Sequence, residues 1–243
     1  MNETISPLAL PGFVRQRLFD ADAAMARALA AAVADALRSG LARRGCASLA
    51  VSGGRSPIPF LEALSAETLD WSRVVVTQVD ERWVAPDSAD SNEALVRRHL
   101  LQGHAAAAGF VPLKTPAPSP EAGVAAALAL RAELPQPFDA VVLGMGEDGH
   151  TASLFPDAAG LAEALDMTGG STLTCIHPPA APHARITLTL AGLLDTQRLF
   201  VQVGGAKKRA VLERAAIQGD PLLLPIAAVL QQRKVVPELF FCA

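Results

Sequence analysis

The sequence alternates between short apolar runs and longer segments with helical spacing. The first long segment, over residues 20–44, is rich in alanine, which is a strong helix former. Its apolar positions, including Leu29 and Leu37, fall on one face of a helix. The spacing therefore predicts a helix here that ends near Gly40 or Gly45, since glycine commonly follows the last helical turn.

The uncharged run ASLAVSG, which begins at residue 47, leads directly into Gly53 and Gly54. A short apolar run that ends in a glycine turn is typical of a buried parallel strand. The following segment, residues 57–67, predicts a helix with Pro57 in its first turn, where the missing N–H group costs nothing.

The same order of strand and helix recurs downstream. The run from Val74 to Glu81 predicts a strand, residues 82–92 a polar loop, and residues 92–101 a helix that Ser91 or Asn92 caps.

The strongest cluster of prolines lies between Lys114 and Gly123 and predicts a surface loop. An alanine-rich helix then runs to about Glu133, and residues 140–143 form a strand that enters a glycine-rich loop followed by a helix. The remaining predicted elements are strands at 171–177, 184–190 and 199–205, a helix at 206–217 and a final apolar segment at 237–243.

Strands that alternate with helices at this spacing predict an α/β fold with a parallel or mostly parallel sheet covered by helices on both faces. At 243 residues the chain fits one domain over 1–243. About half of its residues are apolar, so it can bury a large core.

The charge and cysteine content exclude several classes of function. A net charge of −3 gives no basic surplus for binding nucleic acid or an anionic membrane. Three widely separated cysteines, Cys46, Cys175 and Cys242, form neither a disulfide framework nor a paired-cysteine metal site. Residues 1–13 lack the basic and apolar regions of a signal peptide, and no long apolar run follows. These features predict a cytoplasmic protein.

Four polar or glycine-rich clusters each follow an apolar strand. In a parallel sheet the carboxyl ends of the strands lie at one edge, where ligands bind. The clusters are therefore expected to meet there: SGGRSP from Ser52, DERW from Asp80, GMGEDGH from Gly144 and GGAKK from Gly204.

The backbone N–H groups of Ser52, Gly53 and Gly54 lie between a strand and a helix, which suits a phosphate. An ordinary turn that needs glycine explains the same residues. The GxGxxG spacing at Gly144 lacks the acidic residue that binds ribose downstream, so a nucleotide site is disfavoured.

His150 is the candidate general base, because imidazole changes its charge near neutral pH and a neighbouring carboxylate can orient it. Arg82 is a candidate clamp for a phosphate or carboxylate. Lys207 and Lys208 begin a helix, where the helix dipole disfavours cations unless an anion lies between. Arg185 is a third candidate cation.

The other histidines, His99, His104, His177 and His183, lack the spacing of a metal triad, so no metal is expected. Ser56 and Ser153 lack the GxSxG elbow of serine hydrolases.

From about Phe13 to Ala243 the sequence resembles the 6-phosphogluconolactonase family, with matching order and spacing. The long glycine-rich block is highly specific, whereas SGG and GAKK alone are weak signals. The blocks that carry the resemblance are VSGGRSPIPFLEAL from Val51, VDERWVAPDSADSNEALVRRHLL from Val79, FDAVVLGMGEDGHTASLFP from Phe138, ARITLTLAGLL from Ala184, GGAKKRAVLE from Gly204 and LPIAAVL from Leu224.

The resemblance implies a three-layer, Rossmann-like α/β/α sandwich shared with glucosamine-6-phosphate deaminases and ribose-5-phosphate isomerases. It implies a lactonase of the oxidative pentose phosphate pathway that needs no metal or cofactor and acts on a small sugar-phosphate lactone. The family's functional residues fall on His150, Asp80, Arg82, Gly53, Gly54 and Lys208, with Lys207 as the alternative lysine.

The expected mechanism is hydrolysis of the lactone by water that His150 activates, with Asp148 or Asp80 orienting the imidazole. The 6-phosphate is expected to be held by the SGG amides, Arg82 and Lys208.

Two alternatives remain open: a sugar-phosphate isomerase or deaminase of the same fold, and a non-catalytic sugar-phosphate sensor. The related isomerases resemble DGHIAFNEP where this chain has DGHTASLFP, which favours the lactonase. The choice between a monomer and a small homo-oligomer, and between the δ- and γ-lactone, stays open.

Overall fold

A fully parallel sheet of seven strands forms the centre of the fold. The computed structural model describes residues 6–179 and 181–243. From one edge to the other the strands are β1 (Arg15–Phe19), β10 (Pro237–Cys242), β9 (Thr196–Gly204), β6 (Phe138–Leu143), β2 (Ala47–Val51), β3 (Val74–Gln78) and β5 (Gly109–Phe110).

A small antiparallel sheet of three strands adjoins the large sheet. Its strands, in spatial order, are β4 (Asp80–Arg82), β8 (Arg185–Leu188) and β7 (Leu173–Ile176).

Helices follow most of the parallel strands. They are α1 (Asp22–Arg44), α2 (Ile58–Ser65), α3 (Asn92–His99), α4 (Pro120–Arg131), α5 (Leu161–Leu165), α6 (Leu190–Leu193), α7 (Ala206–Gln218) and α8 (Ile226–Gln231).

The two faces of the parallel sheet are buried in two separate apolar clusters. Along β6, Val141 and Leu143 belong to one cluster, while Ala140 and Val142 belong to the other. This alternation is what a strand covered on both sides requires. One cluster includes the apolar face of α1, and the other includes side chains of α7 and α8. The predicted three-layer α/β/α sandwich is thereby confirmed.

Most predicted elements are present close to the expected bounds. The first helix ends at Arg44, with Gly45 in the left-handed conformation after it, whereas Gly40 lies inside the helix. Ser91 caps α3, since its side chain accepts a hydrogen bond from the backbone N–H of Ala94. The edge strands β1 and β5 and the short helices α6 and α8 were not predicted from the sequence.

The predicted strand from Val74 to Glu81 is wrong as a single element. Val79 separates β3 from β4: its N–H donates to Val51 of the large sheet, and its carbonyl accepts from Leu188 of the small sheet. The chain therefore leaves the large sheet at Val79 and carries Asp80 into the small one. An apolar run with charged residues at its end does not reveal that the chain passes from one sheet to another.

Two further predictions need correction. The proline-rich surface loop ends earlier than Gly123, because Ser119 caps α4 and Pro120 occupies its first turn. The helix predicted after the glycine-rich loop begins later than expected, at Leu161 (α5), and residues 151–160 form turns and isolated β-bridges instead. Ala152 and Asp157 have positive φ angles there, which no α-helix accommodates.

Residues 1–5, which belong to the segment used to argue against a signal peptide, lie outside the described residues. Within the described residues no helix is both long enough and apolar enough to cross a membrane. The single domain over 1–243 stays a prediction.

Candidate active site

A cavity of about 330 Å³ lies at the carboxyl ends of β2, β6 and β9, beside the small sheet. Because β9, β6, β2 and β3 are neighbours, the four polar clusters that follow them meet at this edge, as the sequence predicted. The expected site residues that line the cavity are Ser52, Gly53, Gly54, Asp80, Arg82, His150, Arg185 and Lys208.

His150 is held by its neighbour in the glycine-rich loop. Its Nδ1 lies 2.6 Å from Oδ1 of Asp148, which also accepts a hydrogen bond from the His150 backbone N–H at 3.1 Å. A carboxylate only accepts, so Nδ1 carries the proton and the neutral imidazole has its lone pair on Nε2. Gly146 makes this arrangement possible, because a Cβ there would lie 2.2 Å from Nδ1.

The Asp148 carboxylate stays ionised beside this histidine. Burial alone acts to raise the pKa of Asp148, but the hydrogen bonds and charge of His150 leave that pKa below its ordinary value. One face of the His150 imidazole stacks on the Phe155 ring, with ring centroids 4.3 Å apart. The ring orientation is therefore fixed by an acid at one nitrogen and an apolar ring across one face.

Among the described residues no hydrogen bond joins Asp80 to His150, and Asp80 belongs to a separate buried network. The hydroxyl of Ser153 donates to Oδ2 of Asp80 at 2.6 Å, and Nδ2 of Asn92 lies 3.4 Å from Oδ1. Both donors are buried. Of the two acids proposed to orient the imidazole, Asp148 is thus the one in contact with it.

Glu81, the neighbour of Asp80, faces away from the cavity lining. Its carboxylate accepts hydrogen bonds from the backbone N–H groups of Asn92 and Glu93 at the N-terminus of α3, and from that of Arg82 in β4. A carboxylate is favoured at that end of a helix. Burial nevertheless raises the pKa of Glu81 above its ordinary value. These contacts give Glu81 a structural position beside the site.

Arg185 brings an unpartnered cation into the cavity. The residue is 6% exposed, and its Nε and Nη1 atoms are buried without a hydrogen-bond partner among the described residues. It lies directly across from Arg82 in the β4–β8 pair. Burial, and then the charge of Arg82, lowers the pKa of Arg185. The open donors of Arg185, next to the Arg82 guanidinium whose Nη1 donates to the Asp90 carbonyl, are suited to an anion.

The SGG turn lines the same cavity, but the backbone N–H of Ser52 is not free for a phosphate as predicted, because it donates to the Val142 carbonyl at 3.0 Å. The Ser52 hydroxyl donates to the Val142 carbonyl and accepts from the Gly144 N–H, both at 3.1 Å, so it joins two loops. Gly53 packs against Asn92, whose Oδ1 would lie 1.8 Å from an added Cβ. The turn therefore needs glycine at this position for close packing.

Lys208 lies in the first turn of α7 and lines the cavity. Lys207 is not among the lining residues. Lys208 also borders a second, adjoining cavity.

The remaining histidines lie outside this cavity, and three of them contact surface acids: His99 with Glu62, His177 with Glu121 and His183 with Asp90. Across residues 6–179 and 181–243, no cluster of three His, Cys, Asp or Glu side chains is arranged to bind a metal ion.

Sequence reasoning missed several lining or supporting residues. The sequence marks Asn92 as a helix cap, and it argues against Ser153 as a nucleophile because the GxSxG motif is missing. Phe155 and Arg55, which also line the cavity, carried no distinguishing signal. Their roles depend on contacts between segments distant in sequence.

Comparisons with known proteins extend this picture. Residues 20–237 match the family model described as glucosamine-6-phosphate isomerases/6-phosphogluconolactonase. The chain is 48% identical to a 6-phosphogluconolactonase of Pseudomonas aeruginosa over 93% of this chain and 95% of the relative. It is 45% identical to one of Rhizobium meliloti, over 88% and 93%.

Solved structures agree with these matches. A crystal structure of a 6-phosphogluconolactonase from Shewanella baltica superposes with a TM-score of 0.93 at 40% identity, over 96% of this chain and 100% of that one. A monomeric glucosamine-6-phosphate deaminase shares the fold, with a TM-score of 0.76 at 15% identity over 94% of this chain and 97% of that one.

Proposed function

The chain belongs to the family of glucosamine-6-phosphate isomerases and 6-phosphogluconolactonases, and we propose that it is a lactonase that hydrolyses 6-phospho-D-glucono-1,5-lactone to 6-phospho-D-gluconate. The reaction belongs to the pentose phosphate pathway. The relatives' names support lactone hydrolysis, and the cavity supports a particular way of performing it.

The observation that carries the mechanism is the 2.6 Å contact between Nδ1 of His150 and Asp148. It leaves Nε2 as the basic nitrogen of a side chain that lines the cavity. His150 acts as general base and removes a proton from water, and the resulting hydroxide attacks C1 of the lactone.

The attack produces a tetrahedral oxyanion at C1. Fixed donors act most strongly where charge develops, but the N–H groups of Gly144, Gly146, Gly149 and His150 already donate within the protein. The proposed donor in this loop is therefore the backbone N–H of Met145, a residue that lines the cavity. The bond between C1 and the ring oxygen then breaks, and protonated His150 returns its proton to that oxygen. The product is the open-chain acid.

The 6-phosphate is proposed to bind between Arg185, Arg82, Lys208 and the amides of Gly53 and Gly54. Because Arg185 has buried donors without partners, it becomes the principal phosphate ligand in this proposal. Anchoring the phosphate fixes the ring relative to His150, which converts binding energy into rate.

The isomerase alternative is less well supported. An isomerase must move protons between adjacent carbons, which calls for further acid–base groups near the histidine. Here the group stacked on the imidazole is the apolar ring of Phe155.

We propose that the enzyme acts in the cytoplasm and without a metal ion.

Asp148→Asn is expected to lower kcat by about thirty-fold, because the amide no longer holds Nδ1 in its protonated form and the basic lone pair leaves Nε2 for part of the population. In the wild-type enzyme the lowered pKa of Asp148 keeps this carboxylate ionised. The hydrogen bond that orients His150 is therefore lost only at strongly acidic pH. Steady-state hydrolysis rates measure the effect.

Glu147→Gln is the matched control, since Glu147 is an exposed acid of the same loop. It is expected to retain wild-type activity. Equal activity of the Asp148 and Glu147 variants would contradict the orienting role of Asp148.

A further inference from the structure

Ser153 is a fully buried hydroxyl that reaches the site through one contact. Its Oγ donates to Oδ2 of Asp80 at 2.6 Å, a short hydrogen bond typical of an ionised acceptor. Ser153 does not line the cavity, whereas Asp80 does. Any influence of this hydroxyl on a ligand therefore passes through the Asp80 carboxylate.

A second buried side chain restrains the same aspartate. Nδ2 of Asn92 donates to the Asp80 backbone carbonyl at 2.8 Å and lies 3.4 Å from Oδ1. The longer contact leaves most of the accepting capacity of Oδ1 unused, while Ser153 occupies Oδ2. The carboxylate is thus fixed in place with one oxygen still able to accept.

The cavity also holds two neutral acceptors, the buried amide oxygens Oδ1 of Asn92 and Oε1 of Gln202, and both lack a partner among the described residues. Arg82, Arg185 and Lys208 cannot accept hydrogen bonds. Asp80 is the one carboxylate among the described residues that line the cavity. A sugar lactone carries ring hydroxyls that need acceptors as well as a phosphate that needs donors.

We propose that Ser153 is a positioning residue for substrate recognition, whose hydrogen bond fixes Asp80 so that Oδ1 accepts a hydrogen bond from a ring hydroxyl of the lactone. The inference rests on the proposed function, since it takes the phosphorylated lactone as the ligand. Without Ser153 the carboxylate loses its charge-assisted donor and is free to rotate away from the hydroxyl.

Ser153→Ala is expected to lower kcat/KM for the phosphorylated lactone by about ten-fold, the range for one hydrogen bond to a charged group. The effect should fall to within about two-fold when Asp80 is already replaced by Asn, because interacting residues are not additive. A double-mutant cycle over Ser153→Ala and Asp80→Asn measures this coupling. The Ser153 effect persisting at full size in the Asp80→Asn background would overturn the proposal.

Ser48→Ala is the matched control. Ser48 is equally buried, and its hydroxyl donates to the Pro135 carbonyl outside the cavity. Its removal is expected to leave kcat/KM unchanged. Thermal unfolding of both single variants verifies that each protein is folded at the assay temperature.

Analogues of the phosphorylated lactone that lack the 2-, 3- or 4-hydroxyl give a readout that general structural damage does not produce. Wild type should discriminate against the analogue that lacks the recognised hydroxyl, and Ser153→Ala should lose that discrimination. If the variant lowers kcat/KM equally for the parent and all three analogues, the inference is wrong. If wild type hydrolyses neither the parent lactone nor any analogue, the proposed function itself has failed.

Discussion

Replacing His150 with alanine is expected to lower kcat for opening of the phosphorylated lactone by about a thousand-fold, within the range for loss of a general base. The imidazole is the group in the cavity whose tautomer and orientation are fixed by a carboxylate, through the 2.6 Å contact with Asp148. Its removal leaves water without a base. Phosphate binding should survive, so KM is expected to change little.

His177→Ala is the appropriate control for this variant. His177 also contacts a carboxylate, that of Glu121, but it lies outside the cavity. Its replacement is expected to leave kcat within about two-fold, as for other exposed contacts. Activity of the His150 variant within a few-fold of wild type would contradict the assignment of the base.

Arg185→Met is expected to lower kcat/KM for the phosphorylated lactone by several hundred-fold, or about 3–4 kcal/mol of transition-state stabilisation. The guanidinium is buried, with Nε and Nη1 unpartnered among the described residues, so the phosphate is proposed to supply the missing acceptors. For the unphosphorylated lactone the loss should be small, because that substrate makes no use of the cation.

The same substitution is expected to stabilise the ligand-free protein by about 1–2 kcal/mol, since it removes buried unsatisfied donors and the repulsion from Arg82. Urea unfolding measures this gain. Inorganic phosphate should raise the Tm of wild type but not that of the variant.

Arg185→Lys is the control for the activity prediction, because it keeps a charge but loses the planar donor fork, and it should recover part of the activity. Equal losses for both lactones would contradict a phosphate ligand.

The sequence predicted the arrangement of the site better than its internal contacts. Apolar runs followed by glycine or charge located β2, β6 and β9, and a parallel sheet then required their loops to meet. The same logic placed Lys208 and His150 in one cavity. The periodicity of apolar residues locates strands and helices because it depends only on neighbours along the chain. The parallel order of the strands then determines where their loops meet.

Contacts across the small sheet were not predictable in the same way. The transfer of the chain between sheets at Val79 places Asp80 beside Ser153 and Arg82 beside Arg185, and no local pattern marks that change. Periodicity also failed after the glycine-rich loop, where turns with positive φ angles precede the predicted helix. The partner of His150 was ambiguous in the sequence because two acids were plausible, and only spatial proximity separates them.

The most direct test of the central claim is the initial rate of hydrolysis of freshly prepared 6-phosphoglucono-1,5-lactone by wild-type protein in EDTA, corrected for spontaneous opening. We expect rapid hydrolysis that EDTA does not inhibit, with kcat/KM far lower for the unphosphorylated lactone, since the phosphate anchors the ring in the transition state. A wild-type rate no faster than spontaneous opening would contradict the proposed lactonase activity, whatever ligand the cavity binds.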